Sequence, residues 1–179
     1  MGSPDSYNAK YAIDEYHFWH FLETTQATEL AKLQKHGDWK IKILDRLDKI
    51  IKKYGILRVF KKGLAVGEAH FTFFYELPLA SSSDKVKAHF EQNEFSVTRQ
   101  LRYSVDNPRE EIDMVMFLNG LPFATMELKN AWTGQSARFQ GQEQYRSDRD
   151  IKQPLLQFGR CIVHLAVDTQ EVYMTTKMA

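Results

Sequence analysis

Three short stretches of the 179-residue chain hold residue types that could do chemistry together: Glu111-Ile112-Asp113, Asn119-Gly120-Leu121-Pro122 and Glu127-Leu128-Lys129. Alternate side chains of a β-strand share a face. Glu127 and Lys129 therefore point the same way, roughly 7 Å apart at Cα, and Leu128 points to the opposite face, toward the core. A carboxylate and an ammonium side by side, with a second carboxylate on the neighbouring strand, suit metal-assisted phosphodiester hydrolysis. Mg²⁺ takes oxygen ligands and commonly only one or two protein carboxylates. It acidifies a bound water and neutralises phosphate charge. The lysine can orient that water or stabilise charge developing on the phosphate oxygens. By itself Glu-x-Lys is a common surface pattern, and a lone Asp113 reads as a solvated strand start. The surroundings add weight. Met114–Leu118 is apolar on both faces, so Asp113 stands at the margin of a buried strand. A carboxylate there is costly unless it is paired or bound to a metal.

The turn between the two strands decides whether the acids meet. A two-residue turn at Asn119-Gly120 pairs Leu118 with Leu121, sets Asp113 against Met126 and turns it away from Glu127. A three-residue loop with Gly120 in the left-handed region pairs Phe117 with Leu121, sets Asp113 against Thr125 and gathers Asp113, Glu127 and Lys129 on one face. Both loops are common, and a one-residue slip exchanges faces. The chemistry favours the odd-length loop.

The elements around these residues follow from periodicity. Residues Ala12 to about His36 read as helix, with Phe18, Phe21 and Leu22 on one face, then Leu30 and Leu33. Trp39–Tyr54 reads as a second helix through Ile41, Leu44, Leu47 and Ile51, with Asp38 as cap and Gly55 as stop. Ile56–Val66 and Ala69–Leu77 are rich in β-branched and aromatic residues and predict a hairpin about Gly67. Pro78–Asp84 reads as a linker, and Val86–Glu91 as a short helix. The second half reads as an α/β unit. Its strands are Phe95–Ser104, Glu111–Leu118, Leu121–Lys129, Cys161–Val167 and Glu171–Thr176, the last two buried, with Ser136–Arg149 helical.

Composition removes several classes. The hydrophobic share is 43%, which argues against disorder. No apolar run reaches the ~18 residues of a membrane span, and no secretory signal is visible. Cys161 is the only cysteine, which excludes an intrachain disulfide and fits a reducing, cytoplasmic setting. The net charge of +1 excludes a simple polycation, but the charge is unevenly spread. Residues Asp38 to Lys62 carry nine Lys or Arg and three Asp, a local charge of +6. Such a face could track phosphates or dock a partner, or be a solvated helix face.

Several blocks resemble the N-terminal region of the restriction (R) subunit of type I restriction-modification enzymes. They are Asn93-Glu94-Phe95-Ser96-Val97-Thr98-Arg99-Gln100, then Asp113-Met114-Val115-Met116-Phe117-Leu118-Asn119-Gly120-Leu121-Pro122, then Met126-Glu127-Leu128-Lys129-Asn130. Gln144-Tyr145-Arg146 and Val163-His164-Leu165-Ala166-Val167-Asp168 continue them, and Phe18-Trp19 with Phe21-Leu22-Glu23-Thr24-Thr25-Gln26 adds to them. The resemblance implies a nuclease core of the PD-(D/E)xK class. That is an α/β (α+β) fold with a restriction-endonuclease-like α/β/α core and mixed sheet at 85–179, plus N-terminal helices and a β-hairpin extension at 1–84. It implies Asp113, Glu127 and Lys129 as catalytic residues. Asp113, Glu127 and the backbone carbonyl of Leu128 would hold Mg²⁺. The implied enzyme is a type I site-specific deoxyribonuclease acting on double-stranded DNA in the prokaryotic cytoplasm, with methyltransferase and specificity subunits as partners. ATP would serve a helicase-like motor. No Walker-type motif is present, so the chain reads as an N-terminal fragment without that motor.

The sequence departs from the class pattern at two places. Ile112 stands where the proline of the class name would be. A Gln-x-x-x-Tyr element would need glutamine at Gly141, and Gln140 and Gln144 flank that position. The resemblance makes Gln140, Gln144, Tyr145 and Arg146 candidates for DNA contact. A solvated helix face is the competing reading of the first three. Arg146, Arg149 and Arg160 could contact phosphates or pair with Asp148 and Asp150. Glu68 and Glu94 could supplement the metal site, as could Glu110 and Glu111. His164 reads as a core histidine, Cys161 as a small buried residue, and Trp19 and Trp39 as packing residues. The competing function is a non-catalytic DNA-contact and assembly module that docks to the motor or methyltransferase.

Overall fold

The computed structural model describes residues 2–35, 37–130 and 135–178. The chain opens with a two-strand ribbon, β1 (Tyr7–Asn8) and β2 (Ile13–Asp14). Helix α1 (Glu15–Thr25) begins on Asp14, whose carboxylate meets the backbone N–H (3.4 Å) and Nδ1 (2.7 Å) of His17. The single helix expected from Ala12 to His36 is in fact two, α1 and α2 (Ala27–Leu33), and the position of His36 lies outside the described residues. The break has a tertiary cause. The Gln26 amide bonds both backbone groups of Thr72, accepting from its N–H (2.7 Å) and donating to its carbonyl (2.8 Å).

Helix α3 (Trp39–Tyr54) has the expected bounds, with Ile43, Leu44, Leu47 and Ile51 buried. Asp38 makes no side-chain cap bond; its carboxylate pairs with Lys42 at 2.9 Å. Ile56–Lys62 forms helix α4 instead of the first arm of a hairpin. Its apolar run fits either period, and burial of Ile56, Val59 and Phe60 selects the helical one. The hairpin is confined to β3 (Leu64–Val66) and β4 (Ala69–Phe71). Helix α5 (Asp84–Glu91) follows. No helix among the described residues is long and apolar enough to cross a membrane.

The second half is a mixed five-stranded sheet in sequence order: β5 (Phe95–Arg102), β6 (Glu111–Leu118), β7 (Leu121–Leu128), β8 (Val163–Val167) and β9 (Val172–Thr175). Only β7 and β8 are parallel. Their crossover carries two wide, π-wound turns, Ala137–Gly141 and Gln144–Asp148, and a short turn at Pro154–Leu156. Cys161 precedes β8, and β9 is a half-exposed edge strand and not a buried one. The architecture belongs to the mixed α/β (α+β) class that the sequence indicates.

Among the described residues, two apolar clusters hold the elements together. One joins α1–α4 and the small hairpin to Leu118 and Leu121 at the β6–β7 turn. The other lies between the sheet and the crossover and includes Leu101, Tyr103, Ile112, Val115, Phe117, Tyr145 and Leu156. The Trp19 and Trp39 rings meet edge to face at 5.5 Å within the helical cluster. On the opposite side of the sheet, Met114, Met126, Leu165 and Met174 stand in one row of paired positions. The first three are half-buried and Met174 is exposed.

Candidate active site

The β6–β7 turn is the two-residue form. Leu118 pairs with Leu121, and Asn119 and Gly120 both have positive φ, 51° and 77°. The odd-length loop is therefore not what the chain uses. Instead the register shifts between Met116 and Phe117: Phe117 pairs with Pro122, whereas Met116 pairs with Ala124. Phe123 is the extra residue of a β-bulge. Beyond it Met114 pairs with Met126, the last pair of this ladder, and the same register continued by one residue brings Asp113 level with Glu127, where its carboxylate accepts the N–H of Leu128. Opposed residues of an antiparallel pair share a face. The bulge thus restores the side-by-side arrangement that an even turn alone would destroy. Pro122 was the available signal, because a proline within an interior strand belongs at a bulge.

The turn itself is anchored. Asn119 is fully buried, exchanges backbone and side-chain bonds with the backbone of Glu94 (2.8 and 2.6 Å), and donates to Phe73 O and Asn93 Oδ1 (both 3.0 Å). A Cβ on Gly120 would collide with the backbone of Asp14 and Phe18. The strand end is irregular where Asp113 lies. Gln100 on β5 has φ 48°, and the ladder skips the Gln100–Asp113 position between Arg99–Met114 and Leu101–Ile112. Non-glycine residues in that region are uncommon and concentrate at functional sites.

Glu127 is 1% exposed. One oxygen, Oε1, accepts from the Arg149 guanidinium, and the other, Oε2, is 3.9 Å from Lys129 Nζ. The Lys129 and Arg149 side chains are 8% and 10% exposed. Burial pushes the Glu127 carboxyl up to about 7; Arg149 and Lys129 oppose that shift, and Asp113 adds to it. Burial dominates because removing a carboxylate from water disfavours its charged form more than a nearby cation restores it here. Asp113 Oδ2 accepts the N–H of Leu128 at 2.7 Å. Leu128 itself does not enter the core: its side chain is 44% exposed on the open face of the sheet. Asp113 and Glu127 offer the hard oxygen donors that Mg²⁺ prefers, with the Leu128 carbonyl between Glu127 and Lys129 in the chain. Among the described residues no group of three or more His, Cys, Asp or Glu gathers as a metal cage, a number Mg²⁺ does not require.

The helical crossover packs on the face that carries Glu127. Thr125 Oγ1 meets the Tyr145 hydroxyl (2.9 Å) and His164 Nδ1 (2.7 Å), all three buried. Burial lowers His164 to about 4, so the ring is neutral at pH 7, and raises Tyr145 above its ordinary value. Tyr145 therefore braces the sheet beside the carboxylate and does not stand on the surface. Gln140 folds back onto its own turn, accepting from Ser136 N–H at 2.9 Å. Gln144 Oε1 is buried without a hydrogen-bond partner among the described residues. Arg146 is exposed and, with His164, Tyr173 and Lys177, lines a cleft of about 480 Å³. Gly141 explains the missing glutamine: a Cβ there would lie 2.8 Å from Ala166 Cβ and 3.5 Å from Lys129 Cγ. Close approach of the crossover to β8 and Lys129 leaves no room for a side chain.

The remaining candidates go elsewhere. Glu94 pairs with His20, and Glu68 sits in the β3–β4 turn. Glu111 pairs with Arg102 in the ladder, and Glu110 lies beside Tyr103. Arg160 is buried on Asp48 and on Tyr11 O (3.0 Å), tying the sheet to α3. Neither Arg149 nor Arg160 pairs with Asp148 or Asp150. The Cys161 thiol is pushed up to about 12 by burial and is inert packing. Arg149 is the site residue that sequence reasoning misplaced. Nothing local announces a contact across 22 residues that a helical crossover closes.

A family model described as the type I restriction enzyme R protein N terminus matches residues 19–179. The chain belongs to this family. No curated protein and no solved structure matches it. The matched span of the R-protein N-terminal region begins within α1 and takes in α2–α5, the whole mixed sheet, the β6–β7 bulge and the Glu127–Lys129–Arg149 cluster. Membership identifies a region of a restriction enzyme subunit; the roles of individual residues rest on their geometry.

Proposed function

We propose that this R-protein N-terminal region is the endonuclease domain of a type I restriction enzyme and hydrolyses phosphodiester bonds of double-stranded DNA with Mg²⁺. The observation that carries the reading is the bulged hairpin. Its register brings Asp113 to the end of β7, where the carboxylate accepts the Leu128 N–H at 2.7 Å beside Glu127, and Lys129 Nζ lies 3.9 Å from the Glu127 carboxylate in a nearly dry setting. Asp113, Glu127 and the Leu128 carbonyl would hold the cation. When bound, Mg²⁺ would supply an acidified water and neutralise the phosphate. Lys129, held between the sheet and Gly141, has its ammonium placed to orient the attacking water and to meet charge on the phosphate oxygens. The leaving oxygen takes its proton from solvent.

The test is plasmid cleavage by the full complex with ATP and Mg²⁺, comparing wild type with Lys129→Ala and Asp113→Ala. Cleavage is expected to fall by at least two orders of magnitude while ATP hydrolysis continues. Unchanged cleavage in both variants would overturn the site.

A second reading has its own support. On α3, Lys42, Arg46, Lys49 and Lys53 fall at i, i+4, i+7 and i+11 and are all exposed, a basic ridge on one face. Arg58, Lys61 and Lys62 follow on α4. This ridge suits a DNA-contact or assembly role that does not depend on the carboxylates. Cleavage of plasmid by the isolated chain would exclude a purely non-catalytic module.

A further inference from the structure

We infer that Arg149 is a positioning residue for Glu127, fixing one carboxylate oxygen so that the other is presented to a divalent cation. The inference rests on the reading of Asp113 and Glu127 as metal ligands. The side chain is anchored from several directions. Its guanidinium bonds Glu127 Oε1 and lies 5.5 Å over the Tyr103 ring. Its backbone N–H donates to Gln144 O at 3.0 Å, five residues back, at the end of the second π-wound turn. The neighbouring acids do not claim it. Asp150 accepts instead from Lys152 N–H (2.9 Å) and the Gln153 amide (3.3 Å).

The consequence lies in the two oxygens of Glu127. Oε1 is taken by one N–H of a guanidinium, a group that cannot lose its proton. Oε2 is 3.9 Å from Lys129 Nζ, beyond hydrogen-bond reach, and takes no hydrogen bond from the described residues on the side of the catalytic lysine. A ligand carboxylate whose second oxygen is held by a fixed donor is oriented before the metal arrives. Removing such a partner commonly weakens metal binding ~10–100-fold. Tyr103, the residue after β5, backs the guanidinium, so the orientation passes from the end of β5 through Arg149 to β7.

The experiment is Mn²⁺ titration of this chain followed by the electron paramagnetic resonance signal of free Mn²⁺. It compares wild type, Arg149→Gln, Arg149→Lys and Asp113→Asn, each checked for fold by circular dichroism. Wild type is expected to bind Mn²⁺ at a site that Asp113→Asn abolishes. Arg149→Gln should bind ~10–100-fold more weakly, and Arg149→Lys should recover part of that loss, because it keeps the charge without the planar fork. If Arg149→Gln does not fold, the lysine variant decides, with several-fold weaker binding expected. Affinity in the folded Arg149 variants equal to or tighter than wild type would overturn the proposal; tighter binding would mean that the guanidinium competes with the cation. A wild-type site unaffected by Asp113→Asn would overturn the metal-ligand reading itself, and this proposal with it.

Discussion

The raised pKa of Glu127 has a measurable thermodynamic consequence. Its carboxyl moves from an ordinary value of 4.5 to about 7 on folding, chiefly because it is buried. A folded-state acid of raised pKa binds its proton more tightly than the unfolded chain does. The stability it contributes is fully present below about pH 4.5 and is lost as pH rises through about 7. At 1.36 kcal/mol per unit, the shift corresponds to about 3 kcal/mol across that window. Glu127→Gln replaces the titrating group by a neutral one of the same shape and removes this dependence. Urea unfolding of wild type and variant at pH 4.5, 6 and 8 isolates the contribution. The variant should gain about 3 kcal/mol on wild type between the two ends of the series. Parallel pH profiles would refute the reasoning, showing that the Arg149 and Lys129 charges fully offset burial. Saturating Mg²⁺ should raise wild-type stability more at pH 8 than at pH 4.5, because cation and proton compete for one carboxylate.

Three further outcomes follow from the packing. Gly141→Gln, which would complete a Gln-x-x-x-Tyr spacing, should lower stability by about 1–3 kcal/mol in thermal or urea unfolding, because the Cβ meets Ala166 and the rigid sheet behind it. Thr125→Val should destabilise by about 1–3 kcal/mol, since it leaves the buried Tyr145 hydroxyl and His164 Nδ1 without their shared partner. Neutralising Arg46, Lys49 and Lys53 to Gln should weaken DNA binding in fluorescence anisotropy and reduce the slope of log K against log salt by about 0.9 for each phosphate that is no longer neutralised. It should leave Mn²⁺ binding unchanged.

Much of the molecule was legible along the chain because it depends on neighbours in sequence. The 3.6-residue apolar repeat of Trp39–Tyr54, the turn at Asn119-Gly120, the strands on either side of it and the Glu-x-Lys pair are local patterns, and the structure contains each of them. Ile56–Lys62 was not legible: its apolar run fits two periods, and only burial of Ile56, Val59 and Phe60 against α3 and the hairpin selected the helix. The break at Gln26 likewise has no local cause, since its amide answers Thr72 46 residues away.

The candidate site divides along the same line. By itself the sequence determined that an acid and a Glu-x-Lys pair lie on adjoining strands, and, through its blocks of residues, the family. Tertiary structure decided whether those groups meet. A two-residue turn sends Asp113 to the wrong face. The bulge at Phe123 returns it, adding one residue to a repeat whose period is two. Tertiary structure also decided the electrostatics. Glu127 is a surface acid in the one-dimensional pattern and a buried one in the fold. The crossover lays Tyr145 and Arg149 over it, and desolvation is a property of everything that surrounds a group in space.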